Sequence, residues 1–547
     1  MTLLANGRIH TMDAAGSVVD ALVIRDGRVA FAGRRDAVNP AVGEPVIDLG
    51  GRTVLPGLVD AHGHLMLLAR ARLELDLSAA RSEEEIAAMV ARAARDLRPG
   101  EWIAGRGWDQ TRWPGQAFPS RASLDRAAPG HPVALVRVDG HATWASGAAL
   151  ERAGVTRRST DPAGGVIVRD AGGEPTGLLI DLAQDLIRGL VPPPSEARFD
   201  AAVEAVIAEC LAKGLTGAHE PGLDLAAVAS YTRLIGRARF PFRVVAALSG
   251  KKAWGQYRDR GGPESVGDGR LTVGAIKLWL DGALGSRGAA LHAPYCDDPE
   301  NTGLVLVPPD EVLRLTREAT ARGFHVWVHA IGDRANTLVL DVFERVLGDG
   351  GPPPRLRVEH AQILTPADIP RFARLGVVPS MQPTHCTSDM RWAGERLGPE
   401  RLVGAYAWRS ILDAGSYVAG GSDFPVEDAN PFHGLHAAVT RAPREGDHPG
   451  WQPEQRMTRE EAVRAFTIWN ARSIGREAEQ GSLEPGRRAD LIVLSEDVFA
   501  CPAARIAAIR PLLTMVGGVV AHADQELAAS LPSSVSRAAR STSDTSA

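Results

Sequence analysis

Between about residue 53 and residue 423 of this 547-residue chain, short apolar runs alternate with longer amphipathic ones. The strand candidates are TVLPGLVDAH, GLTGAHE, FRVVAAL, LTVGAIKLWL, FHVWVHA, RLRVEHAQ, GVVPSMQP and SYVAGGSD. Helical periodicity lies between them, for example in DEVLRLTREATARG and PADIPRFARLG. Alternation over this length argues for a parallel α/β fold, because adjacent parallel strands need a crossover and a helix supplies it. Eight strands of this kind suit a (β/α)8 TIM barrel, which puts an active site at the C-terminal strand ends. A doubly wound sheet is the competing reading, but no Gly-rich dinucleotide turn is present.

The two chain ends read differently. LLANGRIHTMD, VVDALVIRDGRVAFAG and PVIDLGGRTVLP alternate apolar and polar residues around Asn-Gly and Asp-Gly turns, and the same texture returns in GSLEPGRRADLIVL and PLLTMVGGVVAH. Residues 1–54 and 481–525 are therefore expected to form one composite β-sandwich, closed by a barrel over 55–480. A Trp-, Pro- and Gly-rich stretch from about 75 to 200 interrupts the alternation. It is expected to be an insertion after the first barrel strand, folded over one end of the barrel, and an excursion of that length is usually functional. Residues 526–547 are Ser/Ala-rich with few apolar anchors and are expected to be disordered.

Composition narrows the partners. A net charge of -5 without a long basic run speaks against nucleic acid or an anionic membrane. No window approaches the length of a spanning helix, and no secretory signal is visible at the N-terminus. The four cysteines, Cys210, Cys296, Cys386 and Cys501, form no CxxC pair, which fits a reducing, cytoplasmic setting. The expected partner is a small-molecule substrate.

Potential metal donors gather at the strand ends. GLVDAHGHL sets His62 and His64 two apart, where an extended chain turns both side chains to one face, with Asp60 behind them. Lys277 lies in VGAIKLWLDG, His329 closes FHVWVHA, His360 closes RLRVEHAQ, and Asp423 follows YVAGGS. Each has an ordinary alternative: a loop hydrogen bond for a histidine, a helix cap for Asp423. Lys277 is harder to explain away, because Ile276, Leu278 and Leu280 would pack outward and turn the ammonium into the barrel, where an unpaired charge is costly. Six donors at one rim suit Zn2+, and also Mn2+, Fe2+ or Co2+, as one ion or two.

The segments PGLVDAHGH, GWD…W, VDGHATW, IKLWLDGALGSRGAAL, HAIGDRA, VEHAQ and GGSDFPV together resemble the amidohydrolase superfamily, and within it the amidohydrolase 3 branch of YtcJ-like and N-substituted formamide deformylase-like hydrolases. The resemblance runs from about residue 2 to 522. It implies that His62 and His64, with Asp423, hold a buried metal, and that His329 and His360 hold a more exposed one. Lys277, N-carboxylated, would bridge the two. It further implies attack by a metal-bound hydroxide on a non-peptide C–N bond, such as an N-formyl or N-acyl amide or a cyclic amide, with Asp423 accepting the proton. A homodimer is implied in the same way. Asp139, His141, Trp144 and Trp113 in the insertion, and Asp281 and Arg287 in DGALGSR, are candidate substrate contacts. For the aromatics, Trp108 included, core packing is the competing reading; for Asp281 and Arg287 it is a loop salt bridge. His219 and Glu220 approach the site or stand behind it.

Three other functions compete with this reading. A deaminase of the same superfamily would carry a Glu in the stretch that reads HAIGDRA here, where the nearest acid is Asp333. A metal-free scaffold would lack some of the six donors. An aldolase-type barrel could use Lys277 as a Schiff base, but needs no histidine cluster.

Overall fold

The computed structural model describes residues 1–350, 353–532 and 535. They fall into two compact units: residues 1–65 together with the chain from 206 onward, and Met66–Ala205.

The first unit holds the barrel. Its strands are Leu58–Asp60, Leu215–Leu223, Arg243–Leu248, Leu271–Trp279, His325–Ala330, Leu356–His360, Val378–Met381 and Ala419–Gly420. Each pairs in parallel with the next in chain order. The Ala61 N–H donates to the Gly420 carbonyl at 3.0 Å, drawing the last strand back to the first and nearly closing the ring. All eight apolar runs named above thus supply a barrel strand. The run TVLPGLVDAH is divided, however: Thr53–Pro56 belongs to the terminal sheet and only Leu58–Asp60 to the barrel.

The chain ends combine in one continuous eight-stranded mixed sheet, in which Leu491–Leu494 pairs antiparallel with Thr53–Pro56. Alternating apolar residues from both ends, including Leu4, Leu22, Val54, Leu491 and Met515, form a core on one face. The sheet is tied to the barrel foot by Arg243, whose guanidinium makes bonds of 2.7 and 3.1 Å to the Asp490 carboxylate. Removing one member of such a buried pair costs about 3–5 kcal/mol. The expected disorder over 526–547 falls mostly outside the described residues. Within them, Gln525–Ala528 is a helical turn whose Leu527 is buried in the sheet core, an anchor the Ser/Ala-rich composition concealed.

The second unit, expected over about 75–200, has its own six-stranded sheet running Gly165–Arg169, Pro175–Asp181, Ala142–Ala145, Val133–Arg137, Ile103–Trp108, Leu75–Asp76. It has a separate core around Trp108, Trp113, Trp144 and Leu135. Among the described residues, all four cysteines are free and no helix is long and apolar enough to cross a membrane.

Candidate metal centre

The barrel's C-terminal rim brings together side chains from strands one, four, five, six and eight. Strand one ends at Asp60, so His62 and His64 sit in the bend beyond it, not in the extended backbone the sequence suggested. The bend is held by Asp60, whose buried carboxylate accepts from the His62 N–H at 2.9 Å and from the Ser422 hydroxyl at 2.7 Å. Gly421 fits against it because a Cβ there would stand 2.6 Å from Asp60 Oδ1 and 2.7 Å from the His62 nitrogen. Burial raises the Asp60 carboxyl to about 7, against the opposing bonds from Ser422 and His62.

Asp423 is the hub. Its φ of +60° turns the chain sharply after strand eight. Its Oδ1 lies 3.1 Å from His64 Nε2 and 3.7 Å from His62 Nε2, and its Oδ2 lies 3.8 Å from His385 Nε2. Burial alone would push this carboxyl up; the imidazoles of His62, His64 and His360 outweigh it and hold it well below the usual range. Two donor groups result, His62–His64–Asp423 and His360–His385–Asp423, each with ligand atoms within 4.8 Å of one another. Donors sharing one ion at ~2 Å stand about 3–4 Å apart, so both groups fit a divalent cation with small adjustments.

A chain of buried polar groups orients His62. Glu359 accepts from His62 Nδ1 at 2.5 Å and from Arg357 Nε and Nη2 at 2.9 Å each. Burial would raise Glu359, but Arg357 and His62 hold it well below the usual range, so it is a carboxylate and His62 carries its proton on Nδ1. His62 Nε2 is therefore bare and faces Asp423. Arg357 stacks 4.0 Å from the Trp327 ring centroid and donates to His219 Nδ1 at 2.9 Å and to the Ala61 carbonyl at 2.7 Å. His219 thus stands behind the centre, and Glu220 accepts from the Tyr231 hydroxyl. Strand alternation turns Arg357 and Glu359 into the barrel together; His360 joins them only because its φ is +75°.

Lys277 is 3% exposed and its Nζ has no hydrogen-bond partner among the described residues. Burial lowers it to about 8, partly offset by Glu359 and Asp423. An orphaned, partly deprotonated amine facing buried carboxylates is what a cation or a carboxylated lysine would satisfy. His360 Nδ1 meets Gln382 Oε1 at 2.9 Å. His329 lies beside His360, ring centroids 4.6 Å apart, but its Nε2 is turned to Asp281 Oδ1 at 3.4 Å and the Gly282 carbonyl at 3.5 Å. Burial lowers His62 to about 4 and His329 to about 3, leaving both neutral at ordinary pH.

The remaining candidates divide. Asp281 is buried and accepts the backbone N–H groups of Ala290, Ile331 and Gly332 at 2.9–3.0 Å, so it ties the GALGSRGA loop to the HAIG turn. Arg287 pairs at the surface with Asp297, not with Asp281. Asp333 accepts from the His292 and Arg334 backbone, an anchoring duty that leaves the deaminase reading without its acid. In the second unit, Trp144 and Trp113 pack on Trp108, with Trp144 fully buried, as core residues. Asp139 pairs with Arg137, and the exposed His141 meets Asp181 at 2.9 Å. Sequence reasoning passed over His385, Glu359, Arg357 and Gln382. The first stands alone in a helical stretch, Pro383–Asp389. Arg357 and Glu359 lie just before the recognised His360, where strand alternation could have flagged them as buried charges, whereas Gln382 follows the seventh strand, where no donor was recognised.

Comparison with known proteins agrees with this architecture. The chain is 36% identical over 94% of its length to YtcJ of Bacillus subtilis (strain 168), a provisionally named amidohydrolase, of which it covers 98%. It is 30% identical over 95% of its length to the N-substituted formamide deformylase of Arthrobacter pascens, of which it covers 98%. Among solved structures, an uncharacterised metal-dependent hydrolase from Pyrococcus horikoshii superposes with a TM-score of 0.76 at 27% identity, over 92% of this chain and 99% of that one. The sequence profile of the amidohydrolase family matches residues 45–522, and with a barrel and rim of this kind the chain belongs to that family.

Proposed function

We propose that this chain is a metal-dependent hydrolase of a non-peptide C–N bond, an N-formyl, N-acyl or cyclic amide. The observation that carries the reading is the convergence of His62, His64, His360 and His385 on one buried carboxylate, Asp423, beside the unpartnered Lys277. The likeness to a formamide deformylase supports the choice of bond.

His62, His64 and Asp423 would hold one ion, and His360 and His385 would hold a second with the other Asp423 oxygen, His329 and Lys277 being further donors nearby. A divalent cation supplies Lewis acidity here, making water acidic and a carbonyl electrophilic; Zn2+ suits the imidazole-rich set, with Mn2+, Fe2+ or Co2+ as alternatives. The protein's own part is proton handling and orientation. Water adds to the amide carbon while Asp423 takes its proton at Oδ2, the oxygen turned away from His64. Asp423 then returns that proton to the departing nitrogen as the C–N bond breaks, giving a carboxylic acid and an amine. Glu359 keeps the His62 proton on Nδ1 throughout, and Asp60 keeps the bend from swinging.

The test is a hydrolysis screen of metal-supplemented protein over N-formyl amines, N-acyl amino acids, lactams and esters, with His62→Ala and Asp423→Asn alongside. Amide hydrolysis in the wild type, lost by more than about 100-fold in both variants, is expected. Equal activity in all three, or turnover of esters alone, overturns the reading.

A further inference from the structure

The rim carries one large apolar side chain that the proposed chemistry does not use. Trp279 ends barrel strand four, two residues beyond Lys277, so alternation puts both side chains on the same, inward face. Its ring centroid is 5.6 Å from Lys277 Nζ, and in the parallel register Trp279 lies opposite His329. Despite this central position the residue is 39% exposed. Beside it, Gly222 at the end of strand two, with φ +88°, brings bare backbone to the indole, and even a Cβ there would meet the ring only at 3.7 Å. The segment running past the next residue is also apolar and open: Leu306 donates to the Leu280 carbonyl at 2.7 Å, and Leu304 and Leu306 are 62% and 53% exposed.

Scattered surface leucines need no explanation, but an exposed indole flanked by two of the centre's donors does. We propose that Trp279 is a specificity-determining residue: its face receives an aromatic or bulky apolar substituent on the amide substrate. This rests on the hydrolase reading and deepens it. The span from Lys277 Nζ to the ring is about the reach of a substituent joined one or two bonds from the scissile amide. A flat ring there would gain offset stacking and lose apolar surface to the indole, while a methyl group would gain little of either.

The experiment compares kcat/KM of the zinc-supplemented enzyme for N-benzylformamide and N-methylformamide in the wild type, Trp279→Ala and Trp279→Phe. The wild type is expected to favour the benzyl substrate. Trp279→Ala is expected to lose about 10–100-fold on it, chiefly through KM, with less than about a threefold change on the methyl substrate, while Trp279→Phe retains most of the preference. Calorimetric binding of benzylamine against methylamine, with metal content checked in each variant, gives the same comparison without turnover. A benzyl-to-methyl ratio untouched by Trp279→Ala overturns the inference, as does an equal loss on both substrates at unchanged metal content. If neither formamide is cleaved, the hydrolase reading loses support, and benzylamine binding that depends on Trp279 still decides this one.

Discussion

Glu359→Gln separates two jobs that one buried carboxylate performs. Glu359 takes a bond of 2.5 Å from His62 Nδ1 and two of 2.9 Å from Arg357, and it and Arg357 are fully buried. The amide can still accept from His62 through its oxygen, but its NH2 cannot accept from the guanidinium. Arg357 is left a buried charge short of its counter-ion, which costs about 3–5 kcal/mol of folding stability. Independently, the neutral amide no longer enforces the His62 tautomer or strengthens its basicity. Metal affinity should fall about 10–100-fold, or roughly 1.4–2.8 kcal/mol. Urea unfolding in excess chelator reads the first effect, and competition against a chromophoric chelator reads the second. The double variant Arg357→Met/Glu359→Gln removes the stranded charge, so it should regain much of the stability but not the affinity. A Glu359→Gln protein that binds zinc within about threefold of wild type would refute the reasoning.

Further predictions follow from the same geometry. Gly421→Ala drives a methyl group to 2.6 Å from Asp60 Oδ1, so it should lower stability by about 1–3 kcal/mol and weaken metal binding together; unchanged urea midpoints would contradict this. The chelator-stripped protein should gain stability as pH rises from about 4 to about 6.5. Burial lowers His62, His325 and His329 to about 4, 4 and 3 and holds His219 and His360 well below the usual range. These five outnumber Asp60 and Asp281, raised by burial to about 7 and acting the other way, so in that window the unfolded chain binds more protons than the folded one, and flat midpoints there would remove the argument. Incubation with 13C-bicarbonate should give a carbamate carbon resonance that Lys277→Arg abolishes, since burial lowers the Lys277 amine to about 8 and frees it to react with CO2. His385→Ala should weaken binding at the second donor group while sparing the His62–His64–Asp423 position, read as metal stoichiometry at limiting zinc.

The barrel was legible because period-2 apolar runs and period-3.6 runs alternate across the chain, and each donor falls where one of those strands ends. The exact means of convergence was not. His62 and His64 converge through a bend held by Asp60 and Ser422, and His360 and Asp423 turn inward on left-handed backbone that periodicity does not encode. His385 escaped notice because its short helix begins where the seventh strand's apolar run has already ended. In the second unit, Trp113 and Trp144 read from sequence as candidate substrate contacts, yet they and Trp108 pack on one another as a core. Large aromatics bury so much apolar surface that a sheet of this size uses them first for packing.

The central claim is that side chains remote in sequence meet around a divalent cation at the barrel rim. Anomalous diffraction at the zinc edge, from crystals of zinc-supplemented protein, tests it most directly. The account predicts a peak within about 2–2.5 Å of His62 Nε2, His64 Nε2 and an Asp423 oxygen. A folded protein that shows its strongest peak elsewhere, or takes up no metal at saturating zinc, would contradict it.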